Sequence, residues 1–275
     1  MNITVVSDSS SNLFNFDGLN YKYVSLKIIS DSKEYVDNAD LDIDDMLDTM
    51  VEIKERFRTS CPNSFDWGEA FKGEENIIAI TITKHLSGSY TAAMGAAEDY
   101  REENPNANIY VLDSLSTGGE MELLIEKIKE LAEKDLSFDE IVAEVEEYQK
   151  HTHLLFALRN LTNLAKNGRV NPAIAKIAGV LGIRITGKAD EGHLKTVHKC
   201  KGKAKTLEMI KSDMLEAGFC GGKVRISHCR NEESANELKE MLLVSYPESD
   251  IKIIPCTALC SFYAEIGGLI IGFED

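Results

Sequence analysis

No apolar run in the chain approaches the ~20 residues of a membrane span, which excludes a bilayer-crossing helix. Basic residues are few beside acids, 30 Lys and Arg against 46 Asp and Glu, for a net charge of −16. That balance argues against nucleic acid, whose binding rests on cations that neutralise phosphates; otherwise it describes a solvated acidic surface. The six cysteines, Cys61, Cys200, Cys220, Cys229, Cys256 and Cys260, contain no CxxC pair and no zinc-ligand spacing. Free, mostly buried thiols in a reducing compartment are the expectation, with no metal site, even at Cys256 and Cys260 near a strand end. GxxxxGK[ST], GxGxxG and GxSxG are all absent, which removes the familiar nucleotide loops and the nucleophile elbow, and no cofactor is implied. Met1-Asn2-Ile3-Thr4-Val5-Val6 enters a strand pattern without a basic stretch or cleavage site. No export signal is read, and the cytoplasm is the expected compartment.

What is present is an ordinary globular composition, 43% hydrophobic and 28% charged over 275 residues, enough for two domains of usual size. The chain is organised around Ile77 to Tyr100. The β-branched run Ile77–Ile82 gives way to Lys84-His85-Leu86-Ser87-Gly88-Ser89 and then to an Ala-rich helical pattern, which reads as strand, loop and helix. In open α/β sheets ligands are held beyond the carboxyl ends of strands, where a helix start offers unpaired N–H groups to an anion. Ser87 is therefore either an ordinary N-cap or a ligand residue.

In chain order, strand Ile3–Ser7 runs into Asp8-Ser9-Ser10-Ser11-Asn12, which is either a turn or a polar loop facing the same crevice as Ser87. Tyr23–Ile29 is a second strand, extended by Lys33–Val36 as a hairpin, and Asp40 caps a helix from Leu41 to Ile53. Pro62 stops that region, Asn63 or Ser64 caps the next helix, and Thr59 and Ser60 are expected in a rigid loop. Strand Ile109–Leu112 ends in the polar Asp113–Gly119 loop before helix Glu120–Lys134, and Phe138–Tyr148 closes the first half.

The pattern changes near residue 150. Strand Thr152–Leu158, helices Leu161–Lys166 and Pro172–Leu181, and a hairpin of Ile183–Thr186 with His193–His198 across Ala189–Gly192 come first. Helix Ala204–Ala217, strand Val224–Ser227, helix Glu232–Leu243 and strands Ile251–Pro255 and Leu269–Phe273 follow. Two α/β domains, 1–150 and 151–275 with an approximate boundary, are expected with a crevice between them. His151, His153, His193 and His198 are read as surface or hydrogen-bonded and His228 as structural. His85, two residues before Ser87, has no acid partner evident in sequence.

Six segments, in order, resemble the DegV family of bacterial fatty-acid-binding proteins, the FakB-like carriers. They are Val6-Ser7-Asp8-Ser9; Thr59-Ser60-Cys61-Pro62 for the family's TSQPS; Leu86-Ser87-Gly88-Ser89-Tyr90 for its LSGTY; Asp113-Ser114 to Gly119; Leu164-Ala165-Lys166-Asn167-Gly168-Arg169-Val170; and Gly267-Gly268-Leu269-Ile270-Ile271-Gly272-Phe273-Glu274. The resemblance spans essentially the whole chain. It implies an N-terminal three-layer α/β/α domain with a parallel sheet and a C-terminal α/β domain with a mixed sheet, an architecture shared with dihydroxyacetone kinase subunits. It also implies a non-catalytic carrier that holds a long-chain fatty acid in an inter-domain tunnel and presents the carboxylate to a separate fatty acid kinase for phospholipid synthesis.

Carried over by position, Thr59 and Ser87 would bind the carboxylate. Ser60, Gly88, Ser89, Ser116, Gly118 and Tyr263 would support the pocket, and Arg169 would be structural or face the partner. Two departures stand out. Cys61 replaces the family glutamine, and Tyr263, followed by Ala264-Glu265-Ile266, stands where the family commonly has a head-group histidine. A hydroxyl still donates to a carboxylate, whereas Glu265 would add a like charge if it faced the site. Three other readings stay open: a hydrolase with Ser87 as nucleophile and His85 or His228 as base, a binder of another small acid or phosphorylated metabolite, and a structural interaction protein.

Overall fold

The computed structural model describes residues 1–53, 55–178 and 182–275. Its first half runs β1 (Thr4–Asp8), a 3-10 turn (Ser9–Ser11), β2 (Asn20–Val24), β3 (Lys27–Ile29), β4 (Glu34–Val36), α1 (Ile43–Glu52), β5 (Arg58–Ser60), α2 (Ser64–Phe71), β6 (Asn76–Thr81), α3 (Ser89–Glu103), β7 (Asn108–Asp113), α4 (Gly119–Ala132) and α5 (Phe138–Gln149). The second half runs β8 (Thr152–Leu158), α6 (Thr162–Lys166), α7 (Pro172–Ala178), β9 (Ile183–Asp190), β10 (His193–Lys201), α8 (Lys203–Glu216), β11 (Val224–His228), α9 (Glu232–Leu243), β12 (Ile251–Pro255), α10 (Ala258–Ala264) and β13 (Leu269–Glu274).

Strands β2, β1, β6 and β7 lie in that order as a wholly parallel sheet. A sheet covered on both faces needs apolar residues on both. Val6, Ile77, Ala79 and Val111 meet α2 and α3 on one side, and Val5, Ile78, Ile80 and Leu112 meet α4 and α5 on the other. The result is the expected three-layer α/β/α arrangement. The second sheet is mixed, in the order β10-β9-β8-β13-β11-β12, with β11 and β12 its parallel pair. Helices α8 and α9 cover one face through Leu207, Ile210, Ala235 and Leu238. On the opposite face Leu154, Phe156 and Leu158 of β8 cluster with α10, with Ile28 and Tyr35 from a small antiparallel sheet, β4-β3-β5, of the first half, and with Phe57 just before β5.

Helix α4 serves both sheets. Met121, Leu124 and Ile125 pack on the parallel sheet, while its start abuts the mixed one. A Cβ at Gly119 would fall 2.3 Å from the Arg225 carbonyl oxygen, and one at Gly272 2.2 Å from the Glu120 nitrogen. Backbone therefore meets backbone there, and no larger residue fits. Below this contact Arg225, 1% exposed, donates to Glu126 Oε2 at 2.7 Å and to Asp250 Oδ2 at 2.6 Å. That ion pair explains acids on a helix that is otherwise buried.

Several local expectations are corrected. Tyr23–Ile29 is two strands, because Leu26 N–H donates to Ser9 Oγ and its carbonyl accepts from Asp37 N–H, which turns the chain out of the parallel sheet. Asp42 caps α1, not Asp40. Thr59 and Ser60 lie in β5, opposite Ile28 and Lys27, not in a loop. The hairpin turn is Glu191-Gly192 alone, with φ of 49° and 81°, as a two-residue turn of the primed type requires. Helix α10 is additional, and the expected reach of α7 to Leu181 lies outside the described residues. No helix among the described residues is long and apolar enough to cross a membrane, and none of their His, Cys, Asp and Glu side chains gather in threes to hold a metal ion.

Candidate functional site

Three loops leave the carboxyl ends of β1, β6 and β7, and a buried acid ties two of them together. Asp8, the last residue of β1, accepts Ile82 N–H at 2.9 Å and Ser89 Oγ–H at 2.7 Å on one carboxylate oxygen. It thereby brackets the loop that carries Ser87. Burial raises its pKa, opposed by bonds from Ser10, Ser89 and Ile82. The serine run behind it is buried and holds α10: Cys260 Sγ–H donates to Ser10 O at 3.4 Å, and Asn12 Oδ1 accepts Thr257 N–H at 2.9 Å. Helix α10 has no cap from its own Thr257. Instead Asp37, wholly buried, accepts Ala258 N–H at 2.8 Å and Leu259 N–H at 3.1 Å. A carboxylate from 220 residues away thus satisfies the helix start. Burial pushes Asp37 up to about 6 despite these bonds.

Between these elements and the mixed sheet lies a cavity of about 680 Å³, its open mouth included. Leu154, Phe156, Leu158, Leu164, Leu194, Leu259 and Ile270 form apolar walls, with Leu26, Ile82 and Leu86 from the first half. Phe156 reaches its place because Gly187 on the neighbouring strand has no side chain; a Cβ there would stand 2.3 Å from the ring. The polar lining is Thr59, Ser87, Thr117, Arg169 and Tyr263. Thr59 Oγ1 and Tyr263 Oη are 2.7 Å apart, a hydrogen bond across the two halves. Arg169 Nε–H donates to Leu86 O at 3.0 Å and so fastens α6's end to the Ser87 loop.

The expected residues divide into groups. Thr59, Ser87, Tyr263 and Arg169 all line the one cavity, each half-buried. Strand alternation turns Thr59 inward and leaves Ser60 exposed. Gly88, not Ser87, is the N-cap of α3; Ser87 Oγ accepts Ser89 N–H at 3.3 Å. A Cβ at Gly88 would be 3.2 Å from Cys61 Sγ, so the Thr59 and Ser87 segments are in contact. The Ser89 hydroxyl is committed to Asp8, and Ser116 is buried outside the cavity lining with Ser114 Oγ on its N–H. Gly118, at φ 59°, lets the β7 loop pass against Ile270 and leaves Thr117 to line the cavity. Glu265 points away from the site, accepting Asn163 N–H at 2.9 Å and lining a different groove.

The protons are countable. A hydroxyl supplies one donor. Ser87 acts as an acceptor toward Ser89, which leaves its proton for a ligand. The Thr59–Tyr263 pair spends one of its two protons on itself and offers the other. With the Arg169 guanidinium beside them, two hydroxyl donors and a cation face an otherwise apolar channel. Burial raises the Tyr263 pKa, and the Thr59 bond and the Arg169 charge oppose it, so it is a neutral donor. Burial likewise pushes the Cys260 thiol up to about 12.

A nucleophilic role for Ser87 needs a base in reach. Among the described residues no hydrogen bond joins Ser87 to a histidine. His85 instead stacks on His193, ring centroids 3.8 Å apart. His151 and His153 bond Asp275, and His198 bonds Asp213.

A family model described as an uncharacterised protein of the DegV family matches residues 2–274. The chain belongs to the DegV family. A DegV domain-containing protein of Streptococcus pneumoniae is 42% identical over 252 residues, 91% of this chain and 90% of that one. Among solved structures, a DegV family protein from Eubacterium eligens loaded with heptadecanoic acid has a TM-score of 0.97 at 38% identity, covering 99% of each chain. The Streptococcus pneumoniae Fatty Acid Kinase B3 protein loaded with linoleic acid has a TM-score of 0.96 at 39% identity, covering 100% of this chain and 99% of that one. The fold of this DegV protein is thus shared along its full length with both lipid-loaded structures.

Proposed function

We propose that the protein binds one long-chain fatty acid, its tail along β8 and its carboxylate at Ser87 and Thr59 with Tyr263 beside them. The observation that carries this is a channel whose walls are apolar and whose polar residues include two hydroxyl donors, one from the Ser87 loop and one from the Thr59–Tyr263 pair that joins the halves. A tail of ~15 methylenes gains about 12 kcal/mol gross at ~0.8 each, and association and ordering remove several kcal/mol of that. A charge-assisted hydrogen bond adds only ~1.5–3 kcal/mol. The tail supplies affinity and the hydroxyls supply orientation.

The half-buried head-group residues leave the acid near the surface, where a second protein can act on it. The reading is that of a carrier, not a catalyst, which works in the cytoplasm and presents the carboxylate to a separate fatty acid kinase. Support comes from the relatives described as loaded with heptadecanoic and linoleic acids, the latter named for a fatty acid kinase. Organic extraction of the purified protein followed by mass spectrometry tests the binding step. Recovery of one long-chain acid per chain is expected. Absence of lipid, together with failure of the delipidated protein to take up palmitic or oleic acid, would overturn it.

A further inference from the structure

We infer that Leu154 is a plug that limits the length of tail the cavity accepts, and that the crevice behind it receives the ends of longer chains. The inference rests on the fatty-acid reading above and deepens it. It begins with a fork in the mixed sheet. Strands β8 and β9 pair from Leu158↔Ile185 only as far as Leu155↔Lys188. Beyond that point β8 stays with β13 out to Thr152↔Glu274, and β9 stays with β10 out to Asp190↔His193. The hairpin tip is drawn away toward the first half, where Thr83 Oγ1–H donates to Gly192 O at 3.0 Å and His193 stacks on His85.

The space between the diverging strands is a crevice of about 1400 Å³, its open mouth included. Leu154 is the one described residue that lines both this crevice and the apolar cavity. It is 2% exposed, so its side chain is packed between the two spaces. Its position is at the tail end. Ala264, next to Tyr263, packs on Gly268 where β13 begins opposite Ala157. Leu154, opposite Gly272, lies about 10 Å farther along the strand from that point. The crevice also has apolar side chains beyond the plug: Ala189, partly buried, and Val197, 45% exposed, with the packed core residues Leu155 and Phe273 at its floor.

The test offers delipidated protein an equimolar mixture of myristic, palmitic, stearic and behenic acids and reads the bound fraction by extraction and mass spectrometry. Each additional buried methylene is worth about fourfold in affinity. Leu154→Ala is expected to raise the behenic-to-palmitic ratio at least about tenfold over wild type. Leu154→Phe is expected to shift capture toward myristic acid. Val197→Trp in the Leu154→Ala background fills the crevice from outside and should cancel the gain while palmitic acid still binds. Should Leu154→Ala fail to fold, Leu154→Val gives the same direction with a smaller shift. An unchanged ranking in the Ala or Val variant and in the Phe variant overturns the plug. A wild type that captures none of the four acids overturns the fatty-acid reading itself, and the plug with it.

Discussion

Removing one hydroxyl at the head group separates orientation from affinity. In Ser87→Ala the lost group is the one described side-chain donor of the β6–α3 loop that lines the cavity, and a hydrogen bond to a carboxylate contributes ~1.5–3 kcal/mol. That converts to roughly 10- to 150-fold in affinity, set against about 12 kcal/mol of gross tail burial that the substitution leaves untouched. The variant should still carry lipid at micromolar ligand. The assay compares oleic acid with its methyl ester by displacement of a fluorescent fatty acid from delipidated protein. The tail is the same in both, but the ester has no carboxylate to receive the proton. Ser87→Ala should weaken the acid and leave the ester nearly unchanged, and the bound acid should be a poor substrate for a cognate fatty acid kinase. Equal losses for acid and ester, or a wild type that does not distinguish them, would refute the assignment of Ser87 to the carboxylate.

Asp37→Ala leaves two buried amides at the start of α10 without an acceptor and should cost about 2–4 kcal/mol in urea unfolding; a loss below about 1 kcal/mol contradicts the remote cap. Glu120 is buried and bonded by Thr152, and burial pushes its pKa up to about 7 from the ordinary 4.5. The folded state therefore holds this proton more tightly than the unfolded chain. The resulting stability is complete below about pH 4.5 and fades as pH rises through about 7, with a ceiling near 3 kcal/mol. Glu120→Gln should flatten the decline of the melting temperature between about pH 5 and 8, and an identical pH profile in the variant counts against it. Arg225→Ala takes the guanidinium from Glu126, which keeps Lys252 at 2.6 Å, and should cost about 1.5–3 kcal/mol, whereas joint replacement of Arg225 and Glu126 by methionine should recover most of that loss in the same unfolding assay.

Most elements were legible because their signals are local. The β-branched runs at Ile77–Ile82 and Ile109–Leu112 and the apolar stripes of α8 and α9 carry their own period. What escaped depended on distant partners. Helix α10 lies in Cys256–Ala264, an apolar run with no capping acid of its own, because Asp37 supplies the cap. Strand β5 is three polar residues, Arg58-Thr59-Ser60, whose ladder partner, β3, is some thirty residues back. At the site, Ser87 stands out from its strand–loop–helix setting as a cap or a ligand residue, whereas the roles of Thr59, Tyr263 and Arg169 come from motif resemblance, and the structure brings all four to one cavity. Thr117 lines it too, from the polar Asp113–Gly119 loop of which only Ser116 and Gly118 were singled out, and nothing in the sequence around Leu194 and Leu259 marks them. Asp8 reads as a turn residue, and only the fold makes it the tie between two loops.

Swinging the two halves apart like a clamshell would pull Gly119 off the Arg225 carbonyl and part the guanidinium from Glu126, at a cost of several kcal/mol. Thr83 to Gly192 and Arg169 to Leu86 are single hydrogen bonds between the halves, each worth about 1–3 kcal/mol, so they break at less cost than the backbone contact and ion pair at the root of α4.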